Sequence, residues 1–241
     1  MGDDAVIAVE GLTKRFGAVV AVEDLSFSLQ RGTVTGFLGP NGAGKTTTLR
    51  ALLGLVEPTA GEALVFGRRY RDLQRPARRV GAVLESNDFH PGRTGRNHLR
   101  ALALGADADI GRDRVEEVLD LVDLIRDGGR RVGTYSLGMR RRLGLAGALL
   151  GDPELLVLDD PANGLDPAGV HWLRTFLRGY ADAGRTVLVS SHVLAEIAQL
   201  VEQVVIIDRG RLAAFVRLDE LSDRGATLEE AYLELTAGPA S

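Results

Sequence analysis

The sequence predicts an α/β fold built on a mixed, largely parallel sheet. Two observations carry that prediction. Short β-type runs alternate with longer helical patterns along most of the 241 residues. Strand–helix alternation of this kind implies parallel strands joined by crossover helices. Several of the runs, VTGFL, LLVL, TVLVS and VVII, are nearly continuous apolar stretches. Central strands covered on both faces read this way.

Taken in order, the runs place strands at Ile7–Val9, Val34–Leu38, Leu64–Phe66, Val80–Leu84, Leu155–Leu158, Val187–Ser190 and Val204–Ile207. Spacing and end signals predict helices over Lys45–Leu53, Val115–Val122, Leu137–Leu150, Gly169–Ala183 and Val193–Val201. The segment from Ser86 to Gly151 has no strand-like run and two or three helical patterns. It reads as a helical lobe inserted into the α/β core, with Arg126–Arg131 (RDGGRR) as a charged, Gly-rich loop inside it. The expected organisation is one domain over 1–241. Residues 1–85 and 152–241 form its core lobe and 86–151 its helical lobe.

Composition narrows the class. Hydrophobic content of 45% and charged content of 26% are those of an ordinary globular chain. A net charge of -4 argues against a general nucleic-acid binder, which carries a basic surface. With no cysteine, disulfides, zinc–thiolate sites and thiol catalysis are excluded. No apolar run reaches the roughly 18 residues of a membrane span. The acidic N-terminus, MGDDAVIAVEG, lacks the positive start of a signal peptide. Of the 29 basic residues only Lys14 and Lys45 are lysine; the other 27 are arginine. A lysine retained in such a chain points to a chemical requirement.

The stretch Val34–Gly54 is a strand, a Gly-rich loop and a helix. Gly39, Pro40, Asn41, Gly42, Ala43, Gly44, Lys45 and Thr46 match G-x-x-x-x-G-K-[ST] with the strand before and the helix after that the motif needs. Small residues let successive backbone N–H groups turn inward as an anion nest, and the helix start adds its positive dipole end. Lys45 can reach the β- and γ-phosphates, and the Thr46 hydroxyl can ligate Mg²⁺. Thr47 completes the candidate nucleotide-binding set, with ATP as ligand. Downstream, Leu155–Leu158 ends in Asp159 and Asp160. An Asp after a strand is by itself a turn or cap residue more often than not. Paired with the phosphate loop, Asp159 becomes a candidate Mg²⁺ residue.

The signal Tyr135-Ser136-Leu137-Gly138-Met139-Arg140 lies shortly before this strand and opens a helix. With the order of the motifs, the chain resembles the ATP-binding subunits of ABC transporters over nearly its whole length. YSLGM looks like that family's signature loop. The resemblance implies a P-loop NTPase (RecA-like) core with an N-terminal antiparallel β portion and an inserted helical signature lobe. It also implies two subunits packed head to tail, with Ser136, Leu137, Gly138 and Met139 of one facing the γ-phosphate held by the other. Read locally, Ser136 is also a good helix cap.

The family's other positions carry over one at a time. Phe16 in LTKRFG matches the aromatic that stacks on adenine; a plain core Phe is the alternative. Glu85 in AVLES stands where the family usually has Gln, and an ionised Glu only accepts hydrogen bonds. It is expected to ligate Mg²⁺ directly or through water. Asp166 in NGLD matches a loop at the dimer interface, and His192 in VSSH the switch histidine at the γ-phosphate. The Leu228–Thr236 stretch, LEEAYLELT, resembles the tail of the drug- and peptide-antibiotic-exporter (ABC-2 type) branch.

Asp160 occupies the position of the family's catalytic Glu, the general base or water-orienting group. Asp is a carboxylate of similar pKa but shorter by one methylene, roughly 1.5 Å. A misplacement of about 1 Å can cost on the order of 100-fold in rate. Either the site is adjusted to the shorter arm, or hydrolysis is slow and binding matters more.

The expected function is an ATP-binding and ATP-hydrolysing motor subunit that works as a dimer. It would drive a separate transmembrane permease, for export, at the cytoplasmic face of the membrane, and would be soluble when expressed alone. The permease would dock around Asn87–Leu99. The alternatives are a nucleotide-gated regulatory or immunity module with slow hydrolysis, and a non-transport ABC ATPase.

Overall fold

A computed structural model of the chain describes residues 5–84, 89–106, 109–191, 194–223 and 227–236. Two compact units divide the chain. One comprises Met1–Leu73 with Arg174–Ser241, the other Gln74–Leu173. The elements in chain order are β1 (Ala5–Phe16), β2 (Val19–Gln30), β3 (Val34–Leu38), α1 (Lys45–Leu52) and β4 (Ala60–Val65). Then come β5 (Val80–Val83), α2 (Gly95–Ala106), α3 (Arg112–Leu121), α4 (Leu137–Leu149), β6 (Leu155–Asp159) and α5 (Pro167–Asp182). The chain closes with β7 (Thr186–Ser191), α6 (Leu194–Ile197), β8 (Gln203–Asp208), β9 (Arg211–Arg217), α7 (Leu218–Asp223) and α8 (Leu228–Thr236).

The first unit holds two sheets. β2, β1 and β4 form an antiparallel sheet in that order. The long β1–β2 hairpin was not legible as two strands of this length. Asp24 lies at φ 50 and register shifts interrupt the β1–β2 ladder, so the alternation of β1 does not run unbroken. In β2 the clean alternation is confined to Leu25, Phe27 and Leu29, which are buried.

The second sheet of this unit is mixed. β3 pairs in parallel with β7 and β8, and β9 runs antiparallel on β8. All five residues of β3 and all six of β7 are buried, as the continuous apolar runs required. Polar atoms inside are matched. Gln203 Nε2 donates to Thr35 Oγ1 at 2.9 Å, and Thr186 Oγ1 accepts from Gly32 N at 3.1 Å. β9 escaped the sequence because none of its seven residues is fully buried and RLAAFVR does not alternate between apolar and polar.

Several boundaries differ from expectation, and two of them have a clear physical reason. Phe66 closes no strand; it sits at φ 52 in the turn after β4. The helix expected over Val193–Val201 is short, Leu194–Ile197, because the chain must re-enter the sheet at β8. A Cβ on Gly36 would meet Ile197, Val201 and Val204 side chains, so that segment packs flat on β3. Val193 lies outside the described residues.

In the second unit β5 and β6 pair in parallel, and a Cβ on Gly81 would collide with the Ala148 carbonyl of α4. That glycine lets the α4 backbone lie against β5. Leu99 and Ala103 of α2, Val115, Val118 and Leu119 of α3, and Leu143, Ala146 and Leu149 of α4 are buried together. Arg114 of α3 donates to the carbonyls of Leu149 and Leu150 at 2.7 and 3.3 Å. A cation on the terminal carbonyls of α4 suits the negative end of its dipole. Among the described residues no helix is long and apolar enough to cross a membrane.

Candidate functional site

In the first unit, β3 delivers the loop Gly39–Gly44 at its C-terminal end, where parallel α/β sheets place ligands. Gly44 lies at φ 103, and a Cβ there would stand 2.5 Å from the Ala21 carbonyl. No other residue fits that point. Lys45 folds back over the loop: Nζ donates to the carbonyls of Gly39 at 2.6 Å and Pro40 at 3.1 Å. Thr48, buried, ties back through N and Oγ1 to the Gly44 carbonyl. The first turn of α1 holds no acidic residue, and no side chain caps Gly44. The helix start and the Lys45 ammonium both face this one loop. That cradle fits the phosphates of ATP.

Neighbouring strands hold the loop. Gly210 N, in the β8–β9 turn, donates to the Ala43 carbonyl at 3.0 Å, and Glu23 N donates to the Gly210 carbonyl at 2.8 Å. Arg211 pairs with Glu23 at 3.0 Å. Gly210 belongs to no motif; its sequence signal is the Arg-Gly pair after an apolar run, an ordinary turn mark. On the same unit Phe16 ends β1 with 51% of its surface exposed, so it is not a core ring.

In the second unit, β6 is buried throughout, and Asp159 is 3% exposed at its end. Asp160, half-buried, turns into the left-handed region at φ 51, and its carbonyl accepts from Asn163 N at 3.2 Å. Asp and Asn enter this region more readily than other side chains. The conformation was not visible in the sequence, because two adjacent acids after a strand carry no spacing signal. Asp166 Oδ1 accepts from Gly169 N at 2.7 Å, capping α5 with Pro167 at its first position.

The signature segment opens α4. Ser136 has the extended backbone of a cap and accepts from Met139 N at 3.2 Å. The first turn of α4 has no acidic residue. Leu137 is 52% exposed, and a Cβ on Gly164 would run into its Cδ2. The signature start and the Asn163–Asp166 turn are therefore in contact, a pairing that sequence spacing does not announce. The loop preceding the signature is pinned. Tyr135 Oη donates to the Asp127 carbonyl at 2.7 Å, and Arg96 N to the Gly128 carbonyl at 2.8 Å. Arg96 also grips Glu116 through Nε and Nη2 at 2.6 and 2.9 Å. That bond holds the Glu116 carboxyl below its ordinary value, while burial pushes the Tyr135 phenol up.

Glu85 and His192 lie outside the described residues. Among the described residues no cluster of three or more His, Cys, Asp or Glu could hold a metal ion. The Thr46 hydroxyl in the first unit and the Asp159 carboxylate in the second are each a hard oxygen donor of the kind Mg²⁺ takes.

The family described as ABC transporter matches residues 22–163. The chain belongs to the ABC transporter family. The bacitracin transport ATP-binding protein BcrA of Bacillus licheniformis is 41% identical over 223 residues, covering 91% of this chain and 72% of the relative. The Nod factor export ATP-binding protein I of Ralstonia nicotianae is 38% identical over 237 residues, 96% of this chain and 74% of the relative. A solved ATP binding subunit of an ABC transporter is 30% identical, with a TM-score of 0.83 over 95% of this chain and 99% of that one. Within the ABC transporter family this is an ATP-binding chain and an ATPase. The α/β P-loop fold with its mixed sheet, expected from the sequence, is the fold observed.

Proposed function

We propose that this chain is the ATP-driven motor subunit of an ABC exporter. Two copies pack head to tail around two ATP molecules and drive a separate transmembrane subunit. One observation carries the reading. The chain presents two helix starts free of acidic residues, one behind Gly44 with Lys45 and one behind Ser136. Each is suited to a phosphate, and one chain cannot spend both on a single nucleotide in the family's arrangement. A two-fold dimer uses each once per site.

In this reading Gly39–Thr47 bind the triphosphate, Phe16 stacks on the base, and Ser136–Met139 meet the γ-phosphate of the other copy. Asp166 lies at the dimer interface. Thr46, Asp159 and Glu85 are the oxygen donors for Mg²⁺. The metal ion, when bound, offsets charge on the phosphate oxygens. Asp160 orients or deprotonates the attacking water, and His192 contacts the γ-phosphate. Residues 86–151 serve as the signature lobe, and the region 87–99 receives the transmembrane subunit at the cytoplasmic face of the membrane. The names of the relatives, bacitracin transport and Nod factor export, support export.

Mixing two inactive variants tests the head-to-tail arrangement. Lys45→Ala destroys a phosphate loop and Gly138→Glu a signature start. In a mixed dimer one site carries both lesions and the other carries neither, so ATPase activity should return on mixing. No activity above that of either variant alone would reject the arrangement. Asp160, one methylene short, favours one other reading, a nucleotide-gated module with slow turnover. It predicts undetectable steady-state hydrolysis in the wild type and a gain in Asp160→Glu.

A further inference from the structure

Of the two lysines among 29 basic residues, Lys45 is taken up by the phosphate loop. Lys14 has no part in the reading above. It stands two residues before Phe16 on β1, so the two side chains share a strand face. Its ammonium lies 5.0 Å from the centroid of the Phe16 ring and donates to the carbonyl of Glu57 at 2.8 Å. Glu57 belongs to the segment that leaves α1, the phosphate-loop helix, and leads to β4. Two further bonds strap that segment to the end of β1. Thr59 N donates to the Thr13 carbonyl at 2.8 Å, and Arg15 N to Thr59 Oγ1 at 3.0 Å.

Phe16 sits near the tip of a hairpin, and Val19, its cross-strand partner, is 65% exposed. An exposed ring on such a tip has several rotamers open to it. An ammonium over one face selects an orientation and leaves the opposite face for a planar ligand. We propose that Lys14 is a positioning residue for ATP: it presets the Phe16 ring as the base platform and couples that platform to the segment following the phosphate-loop helix. The proposal rests on Phe16 being the base platform.

The residue type fits. A compact ammonium with three donors serves a carbonyl and a ring face from one point, whereas a guanidinium is a plane with its donors fixed at the edge. Lysine is kept here in a chain that otherwise uses arginine. The brace also explains why an exposed aromatic is tolerated at a strand end.

The test titrates ATP and inorganic tripolyphosphate, each with Mg²⁺, into the wild type, Phe16→Ala, Lys14→Met, Lys14→Arg and the double variant Lys14→Met/Phe16→Ala, with melting curves as the folding control. Phe16→Ala should weaken ATP about tenfold and leave tripolyphosphate unchanged. Lys14→Met should weaken ATP roughly three- to five-fold, again without touching tripolyphosphate. It should add nothing in the Phe16→Ala background, because both act through one ring. Lys14→Arg should recover part of the loss by restoring a cation over the ring. If Lys14→Met weakens both ligands equally, Lys14 supports the phosphate loop and the proposal falls. It falls too if Lys14→Met binds ATP as the wild type does while Phe16→Ala is impaired. A Phe16→Ala variant with unchanged ATP affinity overturns the base platform itself.

Discussion

The backbone N–H of Gly210 donates to the carbonyl of Ala43 at 3.0 Å, joining the β8–β9 turn to the phosphate loop. Gly210 lies at φ 81, and a Cβ there would stand 3.0 Å from the Ala21 carbonyl and the Val22 Cα. Gly210→Ala therefore adds left-handed strain of roughly 1–2 kcal/mol to a push on β2. Melting should fall by about 3–6 °C. ATP affinity should fall several-fold, because Ala43 moves with the bond. Thermal melts and ATP titrations check both. Unaltered affinity beside a lowered melting point would mean that the turn stabilises the fold without positioning the loop.

Asp160 sits at φ 51, a conformation Asn accepts as well as Asp. Asp160→Asn should thus melt like the wild type and isolate the chemistry. Its ATPase rate should drop on the order of 100-fold or more if the carboxylate is the general base. Asp160→Glu lengthens the arm but is less at ease in the left-handed region, and should melt about 2–3 °C lower. Steady-state turnover and melts of the three proteins decide the role. An Asp160→Asn variant within a few-fold of wild-type rate would remove Asp160 from catalysis.

Leu137 and Gly164 are in van der Waals contact range, and Gly164 lies at φ 76. Gly164→Ala should cost roughly 1–2 kcal/mol from backbone strain alone, plus displacement of an exposed leucine. Adding Leu137→Ala removes the steric part and leaves the strain. The double variant should therefore be more stable than the sum of the single effects, a coupling readable by chemical denaturation. Strict additivity would show that the signature start and the Asn163–Asp166 turn do not communicate.

The Arg96–Glu116 pair makes a prediction about acid. The hydrogen bonds from Arg96 hold the Glu116 carboxyl below the usual 4.5. The unfolded chain therefore binds this proton at higher pH than the folded one does. The pair's stabilisation is present above the ordinary carboxylate value and is lost as pH falls through the lowered one. Glu116→Gln should melt lower than the wild type at neutral pH, and the gap should close as pH falls below about 4.5. Melting curves from pH 7 to pH 3 measure it. A gap that does not change with pH would assign the loss to packing.

Much of the site was legible because its physics is local. Gly39–Thr46 encode a loop and a helix start within eight consecutive residues. Ser136 and Asp166 encode caps by spacing of three to the N–H they accept. The uninterrupted apolar runs around Thr35, Val157 and Leu188 mark strands buried on both faces. Where the burial was one-sided or interrupted, as at β9 and at Asp24 in β2, the periodic signal weakened and the strand was missed. α6 is shorter than its continuous helical pattern because the chain re-enters the sheet at Gln203.

By itself the sequence determined the fold class, the Gly39–Gly44 loop leading into α1, the strand ending in Asp159 and the helix capped by Ser136, since each depends on neighbours along the chain. Tertiary structure decided which distant groups hold them: Gly210 on Ala43, Lys14 between Phe16 and Glu57, Leu137 against Gly164, and Arg96 across to Glu116. It also decided the left-handed turn at Asp160. Such contacts follow from how strands and helices pack, and the backbone angle from where the chain must go next, so no local spacing records either.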